Sequence, residues 1–172
     1  MALREIVKFP DPRLKEVSKP IVDVDDALRE LARDMIEVMY DEPGIGLAAP
    51  QVGASIRMFV IDTEWSDEEV GQRPTVVLNP EISERVDKII WEEGCLSVPD
   101  YVANVERSAI ITLRGHDLEG NPIEERAEGL RAVCIQHEVD HLDGVLFIDR
   151  ISRLKRSLYV KKRKKQLLEE ED

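Results

Sequence analysis

Two cysteines in 172 residues are too few for a disulfide framework, and with no export signal a thiolate metal ligand is a better reading than a cross-link. No run of 18 apolar residues occurs, so nothing reads as a membrane span. The opening MALREIVKFPDPRL has neither the apolar core of a secretory signal nor the Arg- and Ser-rich character of an organellar leader. A reducing cytoplasm is therefore the expected location. The chain also lacks internal repeats and any linker that would split it, and at this length it is read as one domain over 1–172, with 149–172 forming a basic helix and an acidic tail.

Hydrophobic residues make up 42% and charged residues 35% of the chain, a composition that fits a soluble, cored protein. The net charge of −12 is uneven. Residues 150–165 (RISRLKRSLYVKKRKK) hold nine Lys or Arg and no acid, which leaves 15 basic against 36 acidic residues elsewhere. An acidic body discourages adventitious nucleic-acid binding, and no direct DNA binding is expected, whereas the basic segment invites phosphate.

The most informative stretch is Gln136–His141, a His-Glu-x-x-His pattern inside the apolar-periodic run LRAVCIQHEVDHLDGVLF. On a helix, residues four apart share a face, so His137 and His141 can present ring nitrogens to one metal ion while Glu138 stays free to move protons. Leu130, Cys134, His137 and His141 form one stripe, an apolar wall running into the metal position. Two imidazoles do not complete a catalytic site, which usually has three protein ligands and an open position. Cys134 lies seven residues before His141, roughly 10 Å along the axis, so the third ligand is expected from another segment.

Read in order, 4–8 (REIVK) is a short strand, FPDPRL a turn, and ALRELARDMIEVMYDEP a helix capped within Asp23–Asp26 and ending at Pro43. GIGLAAPQVG (44–53) superficially matches a dinucleotide fingerprint, but a helix precedes it and Pro50 stops any helix after it, so that reading fails. A loop this rich in Gly lets backbone approach a ligand. Its Gln51 is either an amide donor in apolar company or a cap in a tight connection. Strands follow at 56–62, 75–80, 82–93, over YVANVERS and AIITLRG, and, after a turn at Glu119-Gly120-Asn121, over PIEERAE. The metal helix runs from about Glu128 to Asp143. A last amphipathic helix covers 149–168, with Ile151, Leu154 and Leu158 inward and the basic residues outward. The fold class is α+β: antiparallel strands packed around a central metal-binding helix, with an N-terminal helix and a C-terminal amphipathic helix.

Cys95, in EGCLSVP, is the candidate third ligand. The usual fate of a free cysteine is that of a small buried hydrophobe, but a loop position, in a chain that already offers two candidate histidine ligands, argues for chemistry. GIGLAAPQVG, EGCLSVP and QHEVDHLDG, in this order and spacing, resemble the three signature motifs of the peptide deformylases, in the bacterial-type form, and the likeness extends over nearly the whole chain. The resemblance implies Cys95, His137 and His141 as metal ligands and Glu138 as catalytic acid/base. It implies Gln51 and the Leu96 N–H as oxyanion donors, and Gly46 as a loop glycine whose backbone contacts substrate. The implied activity is removal of the formyl group from the N-terminal formyl-methionine of new polypeptides. The implied cofactor is one divalent ion, Fe(II) in the cell with zinc, nickel or cobalt as replacements. The helix over 150–165 resembles the one by which bacterial deformylases dock near the ribosomal exit tunnel; a solvated helix without a partner is the alternative.

A methionine pocket beside the metal is expected from Leu130, Val133 and Cys134 on one wall and Ile45 and Leu96 on the other, with Trp91 at the rim. Plain core is the alternative, equally weighted for Val133. Glu93 and Arg107 are expected to pair and orient the Cys95 loop. His116 receives no role. Two rival classes remain. A His-Glu-x-x-His peptidase takes its third ligand downstream, where only Asp143 and Asp149 stand near. A ribosome-binding protein with structural zinc needs four ligands, and three good ones are found.

Overall fold

Strands with apolar residues on both faces need cover on both sides, and helices supply it here. In the computed structural model, which describes residues 4–171, five strands form one antiparallel sheet in sequence order: β1 (Gly46–Ala48), β2 (Met58–Ile61), β3 (Thr75–Cys95), β4 (Val98–His116) and β5 (Pro122–Glu128). Helices α1 (Asp26–Asp41), α2 (Gly129–Leu142) and α3 (Arg153–Glu170) complete the fold, which is the α+β class read from the sequence.

Side-chain alternation along a strand decides which helix each residue meets. Met58 and Val60 of β2 join Leu28, Leu31, Met35 and Met39 of α1, whereas Phe59 and Ile61 join Ile135, Val139 and Leu142 of α2. β1 divides likewise, Leu47 toward α1 and Ala48 toward α2. That is why MFVI is an unbroken apolar run. α1 begins where the Asp25 carboxylate accepts the Leu28 N–H at 2.8 Å.

α2 packs against all five strands and is buried on nearly every side, as a helix through the middle of a core must be. Its one long neutral polar side chain, Gln136, is matched to the backbone of β4, donating to the Ser108 carbonyl at 2.9 Å and accepting the Ser108 N–H at 3.0 Å. The chain leaves α2 through Gly144, at φ +74°, where a Cβ would strike the Lys15 carbonyl; only glycine suits that turn.

Four expectations are corrected. Residues 4–8 form no strand; the segment is tied down by Val7 N–H to Gln51 O and, just beyond it, by Phe9 N–H to Ser97 O, both 2.7 Å. The strands at 75–80 and 82–93 are one, as are the two expected within β4. Register shifts at Leu78/Glu81, Ser83/Val86 and Gly94/Cys95 absorb Pro80 and the polar interruptions as bulges instead of ending the strand. Gly46 lies in β1 rather than a loop. On α3, Leu154 and Leu158 face solvent, at 69% and 58% exposure, while Tyr159 and Arg163 are buried. Tyr159 donates to Pro99 O at 3.1 Å and Arg163 to Phe9 O at 2.8 Å. Their long apolar stems carry polar ends that find carbonyl partners, and this outweighs the two leucines. Ile151 does pack on the core, beside Phe147 and Tyr159.

Candidate metal centre

The β3–β4 connection is a two-residue turn, Leu96-Ser97, closed by the Cys95–Val98 pair. The pairing register shifts at Gly94/Cys95, an irregularity of the kind that re-aims a side chain at a strand end. One ligand atom from each of Cys95, His137 and His141 lies within 4.8 Å of the others, and Cys95 Sγ stands 3.3 Å from His141 Nε2. Metal–sulfur and metal–nitrogen bonds of about 2.3 and 2.0–2.1 Å at a tetrahedral angle would separate such atoms by about 3.6 Å. The three residues therefore fit a single divalent ion of that size.

Electrostatics fit as well. Burial opposes a charged His137, yet hydrogen bonds to Cys95 and Glu93 push its pKa well up: the ring sits between negative groups, where a cation belongs. Its Nδ1 donates to Glu93 Oε1 at 2.8 Å, so an ion that displaced the Nε2 proton would meet a lone pair held in ligand orientation. Burial, followed by the charges of His137 and Arg107, pushes His141 well below the usual imidazole value, so it stays a neutral ligand. Burial raises the Glu93 carboxyl, but hydrogen bonds from Arg107 and His137 outweigh it and hold the group down at about 2. The expected Glu93–Arg107 pair is present and buried, with contacts of 2.7 and 2.8 Å. Beyond its own contacts the pair is hydrogen-bonded to His137 and Asp140 rather than to the turn after Cys95, and Cys95, expected in a loop, is the last residue of β3.

Glu138 is 3% exposed, and its Oε1 has no hydrogen-bond partner in the protein. Burial is the main cause that pushes its carboxyl up to about 7, while a cation at the neighbouring ligands would act in the opposite direction. Such an orphaned carboxylate beside a ligand cluster marks a place where something polar must be met. Gln51, in a short 3-10 turn (Ala49–Val52), has its orientation fixed: Oε1 accepts the Ala48 N–H at 2.9 Å, so Nε2 faces Ser97 Oγ at 3.1 Å and Cys95 Sγ at 3.6 Å.

These groups border a cavity of about 560 Å³ whose lining includes Ile45, Gly46, Gln51, Trp91, Cys95, Leu96, Leu130, Val133, Cys134, His137 and Glu138. Every residue expected at the pocket lines it. Gly46 packs so closely that a Cβ would lie 2.7 Å from Glu138 Oε2 and 2.8 Å from Cys134 Sγ. Cys134 makes no approach to the three-ligand cluster as a fourth member; burial pushes its thiol well above the usual range. His116 lies at the far end of β4, paired with Leu78 and Pro122.

The model of the polypeptide deformylase family matches residues 3–157. The chain belongs to the peptide deformylase family. Curated deformylases from Mesorhizobium japonicum and Rhodopseudomonas palustris (strain BisB5) are 53% and 51% identical, over 96% and 94% of this chain and 93% of each relative. A solved deformylase from Legionella pneumophila superposes with a TM-score of 0.90 at 42% identity, covering 99% of both chains. One from Ehrlichia chaffeensis in complex with actinonin gives 0.87 at 38% identity, over 96% of this chain and 98% of that one. Deformylases are metal-dependent hydrolases, and the ligand cluster suits that chemistry.

Three neighbours escaped sequence reasoning. Ser97 holds the Gln51 amide; Asp140 and Arg150 continue the Glu93–Arg107 pair outward, at 2.6–2.7 Å. Asp140 sits inside the histidine motif, three residues from His137, so its position on the helix was legible. Nothing in the sequence paired it with Arg150.

Proposed function

We propose that the chain is a co-translational peptide deformylase, acting in the cytoplasm on N-formyl-methionyl termini, with the whole of 1–172 as one catalytic unit. One observation carries the reading: a thiolate–imidazole–imidazole cluster and an unpartnered buried carboxylate meet at the end of an apolar cavity. Cys95, His137 and His141 would hold the ion. When bound, a divalent ion lowers the pKa of water toward neutrality and polarises a carbonyl. The soft sulfur with two imidazoles suits Fe(II), which we take as native, and also zinc, nickel or cobalt.

Glu138 accepts the proton of the attacking water and returns it to the departing nitrogen. The water oxygen adds to the formyl carbon, the C–N bond breaks, and formate and a free α-amine leave. Charge developing on the formyl oxygen is met by Gln51 Nε2, whose orientation is set by Ala48 N–H and Ser97, and by the Leu96 N–H in the tight turn. Gly46, on the short outer strand β1, offers its backbone to an extended peptide. Ile45, Leu96, Leu130, Val133 and Cys134 enclose the methionine side chain, with Trp91 at the rim.

Six basic side chains of α3 (Arg153, Lys155, Lys161, Lys162, Lys164 and Lys165) are exposed, while Arg163 is buried and Arg150 and Arg156 are paired with acids. We assign the exposed set to ribosomal RNA phosphate, with binding that falls steeply as salt rises. No helix of the described residues is long and apolar enough to cross a membrane.

The test is hydrolysis of a formyl-Met peptide by anaerobically purified protein, with Glu138→Ala as control. The reading predicts formate release that falls by about 10²-fold or more in the variant, with metal still bound. Cleavage of internal peptide bonds, or no formate at all, would overturn it.

A further inference from the structure

Arg150 lies outside the signature motifs, but it closes a line of alternating charges that ends on His137. Its Nε and Nη2 grip Asp140 Oδ2 and Oδ1 at 2.6 and 2.7 Å. Arg107 Nη1 takes the same Oδ2 at 2.6 Å and directs its other two nitrogens to Glu93 at 2.7 and 2.8 Å. Glu93 Oε1 then receives His137 Nδ1 at 2.8 Å. Asp140, Arg107 and Glu93 are buried, and Arg150 is half exposed.

Charge balance explains why the outermost member matters. Without Arg150, one buried guanidinium serves two buried carboxylates, and an uncompensated anion remains inside. Asp140 Oδ1 then has no partner of its own and competes for Arg107, drawing it off Glu93. With Arg150 in place, two cations balance two anions, and Arg107 keeps its paired contact with Glu93. The segment carrying Arg150 is itself fixed: Phe147 and Ile148, in the same 3-10 turn (Phe147–Arg150), are 1% and 0% exposed. The Phe147 ring stacks on His137, centroids 6.1 Å apart and planes 27° from parallel. The turn thus meets His137 twice, directly through Phe147 and through the charge line from Arg150.

We infer that Arg150 is a positioning residue for the metal centre, holding the His137 ring in its ligand orientation through Asp140, Arg107 and Glu93. This rests on the three-ligand reading above. Partners of this outer kind carry roughly 10–100-fold in metal affinity, and Arg150, three contacts from the ring, belongs at the low end. The experiment loads the full chain with Co(II), records its visible spectrum, and measures ion release to a chelator well below the melting temperature. Arg150→Gln is expected to release cobalt about tenfold faster and to shift the visible bands, and Arg150→Lys to recover part of both. Arg156→Gln, which breaks a neighbouring pair to Asp149 with no link to the line, is expected to leave release and spectrum unchanged. If wild type binds cobalt and Arg150→Gln matches it, or if Arg156→Gln has the same effect as Arg150→Gln, the inference is overturned alone. If wild type takes up no cobalt, the metal centre itself is overturned and the inference with it.

Discussion

Replacing Gly46 by Ala adds one methyl group where none fits. The new Cβ would stand 2.7 Å from Glu138 Oε2 and 2.8 Å from Cys134 Sγ, against ordinary contacts that begin near 3.4 Å. Each neighbour must then retreat by about 0.6–0.7 Å in a close-packed interior. The cavity that both line offers the room, so each retreats only by leaving the position it now holds. Both belong to α2, and both are buried, at 3% and 6% exposure. Overpacking of this kind costs about 1–3 kcal/mol, and a misplacement approaching 1 Å in a reacting group costs up to about 10²-fold in rate. The expected outcome is a loss of roughly 1–3 kcal/mol in urea unfolding and a fall of about 10–100-fold in kcat on a formyl-Met peptide. Adding Cys134→Ala removes the sulfur but leaves the clash with Glu138, so stability should return in part while kcat does not. A Gly46→Ala protein with native stability and native kcat would refute the reasoning, because it would mean that Glu138 does not occupy the position from which it acts.

Three further outcomes follow from the same contacts. Arg107→Met leaves Glu93 and Asp140 buried without their shared cation, and should cost about 3–5 kcal/mol in denaturant unfolding; a loss under about 1 kcal/mol would show the pair to be dispensable. Burial raises the Asp149 carboxyl, but the Leu146 N–H, Arg156 and Lys15 together hold it below its ordinary 3.8. Its stabilisation is therefore complete above that value and disappears as pH falls through the lower folded value, so the deficit of Asp149→Asn measured at neutral pH should shrink in acid; a deficit constant with pH would contradict this. Finally, formyl-Met peptides should exceed formyl-Gly peptides in kcat/KM by more than tenfold, as burial of a methionine side chain worth about 1.5–3 kcal/mol requires, and equal values would remove the pocket.

The sequence made the centre legible where local periodicity dictates geometry. His137 and His141 are four apart on a helix, and that spacing alone puts both rings on one face whatever surrounds them. The same rule excluded Cys134 as third ligand. Cys95 was legible as a residue type in a suitable place, but its aim depends on a register shift at Gly94, and bulges leave little trace in a pattern of alternating residues. For the same reason β3 and β4 looked like four strands. α3 misled because exposed leucines mimic a core stripe; the deciding contacts, Tyr159 to Pro99 and Arg163 to Phe9, join segments 60 and 154 residues apart and leave no local signal. The charge line through Asp140 to Arg150 is of the same kind, since Glu93, Arg107, Asp140 and Arg150 come from four separate elements.

The central claim is that one sulfur and two ring nitrogens share a metal ion. X-ray absorption of the zinc- or cobalt-loaded protein reads that shell directly. The account predicts one sulfur at about 2.3 Å with nitrogen or oxygen neighbours at about 2.0–2.1 Å, the sulfur lost in Cys95→Ser and kept in Cys134→Ser. A shell without sulfur, one with two sulfurs, or one whose sulfur follows Cys134 instead of Cys95, would contradict it.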